Sequence, residues 1–180
     1  MLLEIGDNKV NYLKKYSSPI GVLTIVSDGN NIIGLYIEGQ KYYMNSIKGD
    51  LVEKSNVVID KTISYLDRYF NGEKISFDIP LKPNGTEFRK LVWNILLDIP
   101  YGEVITYGEI TRKIEKKLGK KMSSQAVGGA VGHNPISIII PCHRVIGSNN
   151  SLVGYAGGID KKKKLLSIEG IDTSKYKEVK

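Results

Sequence analysis

Between Asn84 and Gly170 the chain alternates short apolar-periodic stretches with strong start and stop signals, and this punctuation restricts the folds it can form. Asn84-Gly85-Thr86-Glu87 supplies a helix cap, after which Phe88, Leu91, Val92, Ile95 and Leu96 recur at helical spacing until Pro100 closes the segment. Thr106-Tyr107-Gly108-Glu109 fits a capping box, with Thr106 and Glu109 as reciprocal partners. Ile110, Ile114 and Leu118 carry that helix to Gly119. Ser123 or Ser124 opens a third helix reaching roughly Gly132, and Asn134-Pro135 forbids its continuation, because a residue before proline is driven out of the helical region. The apolar run Ile136–Ile140 then reads as a buried strand, Gly147-Ser148-Asn149-Asn150 as a hairpin, and a last helix runs from a cap at Asp160 to Gly170. Short helices, a turn, a further helix and a hairpin follow the plan of a winged helix-turn-helix, whose second helix enters a DNA groove.

The first half reads differently. Asn11–Tyr16, Gly21–Ser27 and Asn31–Ile37 are β-branched and aromatic runs, with Asp28-Gly29 as a turn between the last two. Lys41–Ser55 shows no clear period. Val57–Phe70 is helical, with Ile59, Ile63, Leu66 and Phe70 on one face and Asn71-Gly72 as its stop. Ile75–Leu81 reads as one more strand, and Pro80, Pro83 and Gly85 mark a boundary near residue 83. The expected fold is therefore α+β: a small N-terminal sheet-plus-helix domain (1–82) and a C-terminal winged helix-turn-helix domain (83–180).

Charge separates the halves as well. Residues 1–82 hold 10 Lys+Arg and 10 Asp+Glu, whereas residues 83–180 hold 16 and 9, so the whole net charge of +7 sits in the second half. A basic domain of that plan points to nucleic acid as a partner. Its groove-facing helix, Ser124–Gly132, carries no charge and almost no bulk. Gly128 and Gly129 cost about 1 kcal/mol each inside a helix and call for a close backbone approach to something, either a packed neighbour or a narrow minor groove. No stretch approaches transmembrane length, Met1–Asn11 lacks the apolar core of a secretory leader, and one cysteine with two histidines excludes an internal disulfide and gives poor zinc spacing. A reduced, cytoplasmic protein is expected, nucleoid-associated in a prokaryote.

The chemistry-bearing motif is Pro141-Cys142-His143-Arg144-Val145. It holds the only cysteine and one of the two histidines. A lone thiol at the mouth of a buried segment, with an imidazole next in sequence, is a candidate nucleophile with its base nearby. Adjacent residues on an extended chain face opposite ways, so a water or a sharp bend after Pro141 has to connect the two.

This motif, preceded by Ala126-Val127-Gly128-Gly129-Ala130 and Asn134-Pro135, resembles the O6-alkylguanine-DNA alkyltransferases. Gly102-Glu103-Val104-Ile105-Thr106-Tyr107, Val153-Gly154-Tyr155-Ala156-Gly157-Gly158 and Leu165-Leu166-Ser167-Ile168-Glu169-Gly170 match in the same order, covering residues 86–170, while the N-terminal half resembles the family's ribonuclease H-like supporting domain only loosely. The resemblance implies that the protein binds duplex DNA as a monomer, flips out an O6-alkylated guanine, and moves the alkyl group irreversibly to Cys142, with no cofactor and with O4-alkylthymine left open as a second substrate. It implies that His143 accepts the thiol proton, Glu169 orients the imidazole, Asn134 ties the turn after the slim helix to the active-site segment, and Tyr107 donates to the guanine leaving group. Gln125, Ala126, Gly128 and Gly129 are implied at the DNA surface, with Arg144, Val145, Tyr155, Ala156 and Gly157 at the base.

Two positions depart from the family pattern. Gln125 stands where an arginine commonly fills the gap left by the flipped base, and Ala156 where a serine hydroxyl commonly reaches the O6 region. The expected results are weaker flipping and a more apolar pocket that tolerates bulkier alkyl groups. Three rivals compete with this reading. A non-catalytic lesion sensor of the same fold would lack the reactive cysteine. A cysteine hydrolase would leave the slim helix and the basic half without a role. A winged-helix regulator would need polar side chains on its recognition helix.

Overall fold

A computed structural model describes residues 10–178; the leader reading of residues 1–9 falls outside them. The N-terminal half is a four-stranded sheet in the order β3-β2-β1-β4, built from β1 (Val10–Ser18), β2 (Gly21–Ser27), β3 (Ile32–Ile37) and β4 (Asp50–Glu53). The first three strands form an antiparallel meander, and β4 adds in parallel on the outer edge of β1, with Val10 opposite Asp50. Helix α1 (Val57–Phe70) starts where the Asn56 side chain accepts from the Ile59 amide and stops at Asn71, followed by Gly72 at φ 81°. Its fully covered stripe is Ile59, Thr62, Leu66 and Tyr69, spaced three, four and three apart. Ile63 and Phe70 lie at its margin.

The C-terminal half follows as α2 (Glu87–Leu97), β5 (Ile105–Thr106), α3 (Tyr107–Leu118), α4 (Ser124–Gly132), a 3-10 turn at Cys142–Arg144, β6 (Val145–Ile146), β7 (Ser151–Leu152), α5 (Ile159–Ile168) and β8 (Lys177–Glu178). The capping box forms as the sequence indicates: Thr106 Oγ1 accepts from the Glu109 amide, and Glu109 accepts from the Thr106 amide at 2.8 Å. Gly119 ends α3 at φ 65°, a left-handed position that glycine occupies without steric cost.

Five expectations change. The unpatterned Lys41–Ser55 contains β4, whose four residues are all exposed and so carry no burial period. Ile75–Leu81 is not a strand; its backbone joins the sheet around Leu81, where the Ile32 amide donates to the Pro80 carbonyl and the Lys82 amide to the Ile32 carbonyl. Ile136–Ile140 is a buried turn. It exchanges two bonds with Leu35 of β3 and then reverses at Ile138, whose φ is 72°, closing with the Ile140 amide on the Ile136 carbonyl at 3.0 Å. A continuous apolar run reports burial, not direction, so strand and buried turn look alike. The expected hairpin reduces to one antiparallel bridge, Gly147 to Ser151, because β6 pairs with β5 and β7 with β8. Gly158, not Asp160, is the N-cap of α5, and Asp160 lies in its first turn.

The two halves share one core. Leu23, Ile25 and Leu35 from the sheet and Ile59, Leu66 and Tyr69 from α1 pack with Val92, Trp93, Ile110, Val127 and Ile136. Trp93 donates its indole N–H to the Ala130 carbonyl at 2.9 Å, tying α4 to α2. Among the described residues no helix is long and apolar enough to cross a membrane.

Candidate active site

The turn that replaces the expected strand delivers Cys142. Asn134 staples it: the side-chain oxygen accepts from the Ile136 amide at 2.9 Å, and the side-chain nitrogen donates to the Ile140 carbonyl at 2.7 Å and to Cys142 Sγ at 3.1 Å. One amide thus holds both ends of the loop and touches the sulfur. Pro141 bends the chain (ψ 63°) into the 3-10 turn, so Cys142 and His143 are not on opposite faces of a strand. Cys142 is 5% exposed. Burial raises its thiol pKa; the Asn134 amide and the Lys162 charge oppose that rise without overcoming it.

His143 is completely buried, and its Nε2 lies 2.6 Å from Glu169 Oε1. Burial depresses the imidazole pKa against the opposing pull of Glu169, so the neutral ring is favoured. With Nε2–H donating to the carboxylate, Nδ1 carries the lone pair, and Nδ1 has no hydrogen-bond partner among the described residues. Glu169 is no solvated helix end. Its carboxylate is buried and accepts from His143, from Tyr69 Oη at 2.8 Å, from Arg144 Nε at 2.8 Å and Nη2 at 3.0 Å, and from the Gly102 amide at 3.2 Å. Burial alone would raise its pKa, but the bonds and charges of His143 and Arg144 hold it at about 2.

Arg144 corrects an expectation. Its guanidinium is committed to Glu169 and to the Ile99 carbonyl (2.6 Å), and it lies 5.8 Å from the centre of the Tyr101 ring. It braces the carboxylate, with three of its five N–H groups given to Glu169 and Ile99. Lys162 lies inside the run Lys161–Lys164, yet it is fully buried and donates to the carbonyls of Val145 (2.5 Å) and Val153 (2.7 Å). Burial lowers its pKa to about 8, with the Cys142 charge pulling the other way. The overlooked signal was spacing: Lys162, Leu165, Leu166 and Glu169 form one helical stripe, all buried, with a charge at each end.

Tyr107 opens α3 half-buried, with its hydroxyl 3.3 Å from the Gly154 carbonyl. Burial, then the nearby Cys142 charge, pushes its pKa up to about 12. Tyr155 is likewise raised by burial next to Cys142. The pocket loop is latched by the N-terminal half, since the Lys41 amide donates to the Ala156 carbonyl at 3.1 Å. A Cβ on Gly157 would stand 2.8 Å from Ile37 Cδ1, so that glycine permits the sheet to approach the loop. Val145 is fully buried beneath it.

Helix α4 buries Val127, Ala130 and Val131 and exposes Gln125, Ala126 and Gly129. A Cβ at Gly128 would meet Tyr107 at 3.9 Å, in ordinary contact, and one at Gly129 would meet nothing within 4 Å. Packing among the described residues therefore does not explain Gly129, which faces open space. The site thus sets two buried pairs next to each other in sequence, Asn134–Cys142 and His143–Glu169, brings Tyr107 within electrostatic reach of the sulfur, and leaves Gln125, Ala126 and Gly129 outside on the surface.

Comparison with known proteins bears on both halves. Residues 11–83 match the profile of the 6-O-methylguanine DNA methyltransferase ribonuclease-like domain, and residues 87–171 that of the 6-O-methylguanine DNA methyltransferase DNA binding domain. The chain is 44% identical to a methylated-DNA-protein-cysteine methyltransferase of Haemophilus influenzae, over 89% of this chain and 87% of that one. It is 45% identical to a protein of the same description from Methanosarcina acetivorans, over 88% and 98%. Among solved structures it superposes on Mycobacterium tuberculosis OGT in complex with DNA with a TM-score of 0.75 and 38% identity, covering 93% of this chain and 94% of that one.

Proposed function

From the premise that the chain belongs to the 6-O-methylguanine-DNA methyltransferase family, we propose how its residues reverse alkylation damage. It is a DNA-repair methyltransferase that binds duplex DNA and takes the alkyl group from O6-alkylguanine onto its own cysteine, one group per molecule. The observation that carries the residue-level reading is the buried sequence of contacts Asn134–Cys142 and His143–Glu169, set behind a helix whose exposed face is nearly bare. Small side chains let the α4 backbone sit deep in a minor groove, as wedge-bearing minor-groove proteins do. Gln125, Ala126 and Gly129 lie on that face, and Gly128 keeps the Tyr107 side of the helix slim. The flipped guanine enters between Tyr107 and the loop Tyr155–Gly158, with Val145 beneath.

His143 Nδ1 then takes the Cys142 proton through a bridging water, and Glu169 stabilises the imidazolium that forms. The raised thiol pKa means the proton stays on sulfur until the site is occupied. The thiolate attacks the alkyl carbon, a carbon–sulfur bond forms, the carbon–O6 bond breaks, and its electron pair goes to the guanine. Tyr107, still protonated at neutral pH, donates to the base as that charge develops. The thioether leaves no group to regenerate the thiol. The cytoplasm, on nucleoid DNA, is the proposed place of action.

Intact mass after mixing the protein with duplex DNA carrying one O6-methylguanine tests this directly. One methyl group per protein, mapped to Cys142, is the expected result; lesion binding without mass gain would favour the sensor, and neither would favour the hydrolase. The departure at 125 gives a second expectation. Gln125 can hydrogen-bond the orphan cytosine but brings no charge, so Gln125→Arg should tighten lesion binding and speed repair, by roughly tenfold if the guanidinium makes one bidentate contact. Unchanged affinity and rate in a duplex-binding and single-turnover assay would remove Gln125 from the flipping step.

A further inference from the structure

The buried relay contains one group from the other half of the chain. Tyr69, the last member of the covered stripe of α1, is 1% exposed, and its hydroxyl donates to Glu169 Oε1 at 2.8 Å while standing 3.5 Å from His143 Nε2. Its ring is held independently of that bond: it stacks on Tyr65 with centroids 6.2 Å apart and meets Phe70 and Tyr101 edge-on at 5.4 and 6.2 Å. The hydroxyl therefore reaches the carboxylate from a fixed position.

We propose that Tyr69 is a positioning residue for alkyl transfer, fixing Glu169 and thereby His143 so that the N-terminal half supplies part of the proton relay. This rests on the reading of Cys142 and His143 given above. Charge balance does not require the tyrosine, because Arg144 already pairs with both carboxylate oxygens. What the tyrosine adds is direction and strength. It shares Oε1 with His143, so it limits how strongly that oxygen draws a proton onto the imidazole. A phenol donates one proton; with that proton on Glu169, the hydroxyl cannot also donate to His143, whose Nε2–H points to the same oxygen.

Removing the hydroxyl leaves Oε1 with fewer donors and its charge less quenched. The imidazolium becomes easier to form, so His143 is held protonated to higher pH and is unavailable as a base there. The other titratable groups facing the pair remain: Tyr65 on α1, Tyr101 before β5, Cys142 and Arg144 on the 3-10 turn, and Lys162 on α5.

The experiment compares full-length wild type, Tyr69→Phe and Tyr65→Phe. It records nitrogen-detected NMR titration of His143 without DNA, single-turnover methyl transfer against pH, and the melting temperature. Tyr69→Phe is expected to raise the His143 pKa by about half to one unit. It should slow transfer at neutral pH by up to about threefold, with recovery at higher pH. Tyr65→Phe should leave the titration in place. Should Tyr69→Phe not fold, 3-fluorotyrosine at position 69, a stronger donor, must shift the titration downward. An unmoved titration, or a rate loss uniform across pH that follows the melting temperature, would overturn the proposal. A wild type that transfers no methyl group would overturn the enzymatic reading, and the DNA-free titration would still decide on Tyr69.

Discussion

Cys142→Ser is expected to hold O6-methylguanine duplexes as tightly as the parent and to transfer nothing. The substitution keeps a small polar side chain under Asn134, whose amide can still donate to it, and the loop is held by the Ile136 and Ile140 contacts regardless. The proposed binding groups lie elsewhere, on the exposed face of α4 and in the pocket at Tyr107 and Tyr155. The reaction depends on the sulfur. A neutral imidazole whose proton affinity is depressed by burial can receive a proton from a thiol but not from an alcohol, whose pKa is many units higher. Loss of a nucleophile on this pattern costs on the order of 10^4-fold or more. Gel-shift affinity and intact mass on the same samples check both halves of the statement. Since the chain has no second cysteine, residual transfer close to the parental rate would mean that another side chain is the acceptor.

Glu169→Gln is expected to lower both stability and rate, and the two losses should separate. A glutamine offers one acceptor oxygen where the carboxylate serves five contacts, and it leaves the buried Arg144 guanidinium without its counter-charge. Breaking such a pair by removing one member costs about 3–5 kcal/mol. In a domain of this size that lowers the melting temperature by roughly 10 °C. The imidazole also loses the group that sets its tautomer, which slows transfer by about 10^2- to 10^4-fold. Adding Arg144→Met to Glu169→Gln removes the orphaned charge, so thermal melting should recover while single-turnover transfer should not. Recovery of both would mean that Glu169 serves the fold alone.

The same carboxylate sets an acid limit. Its pKa in the folded protein is about 2, below the ordinary 4.5, so it contributes stability that is fully present above 4.5 and is lost as pH falls toward 2. The contribution is on the order of 3 kcal/mol. Denaturant melts across that range should show a steeper acid loss for the parent than for Glu169→Gln.

Much of the fold could be read from local rules. The bounds of α1, the Thr106 capping box and the Ser123 start of α4 are set by side chains within a few residues, and the structure places them where those rules put them. Other features depend on distant partners. β4 exists because β1 offers an open edge, and nothing within Asp50–Glu53 announces it. The Ile136–Ile140 turn depends on two bonds to Leu35, about a hundred residues earlier in the chain. At the site, the motif reading brought Asn134, Cys142, His143 and Glu169 to the page. It set Arg144 at the base, whereas the guanidinium faces Glu169, and it passed over Lys162, because a lysine in a basic run reads as surface until its helical stripe is counted. Tyr69 was hidden for a related reason: a stripe counted on aliphatic and phenylalanine positions passes over a tyrosine whose ring is buried and whose hydroxyl works inside.

The indole that ties α2 to α4 has an optical consequence. Trp93 is the sole tryptophan of the chain, is almost wholly enclosed, and bonds the Ala130 carbonyl on the helix proposed to meet DNA. Its emission therefore reports on a single place. A shift in wavelength or yield when a duplex is added would track displacement of α4 against its support, in unlabelled protein and on the time scale of a stopped-flow trace.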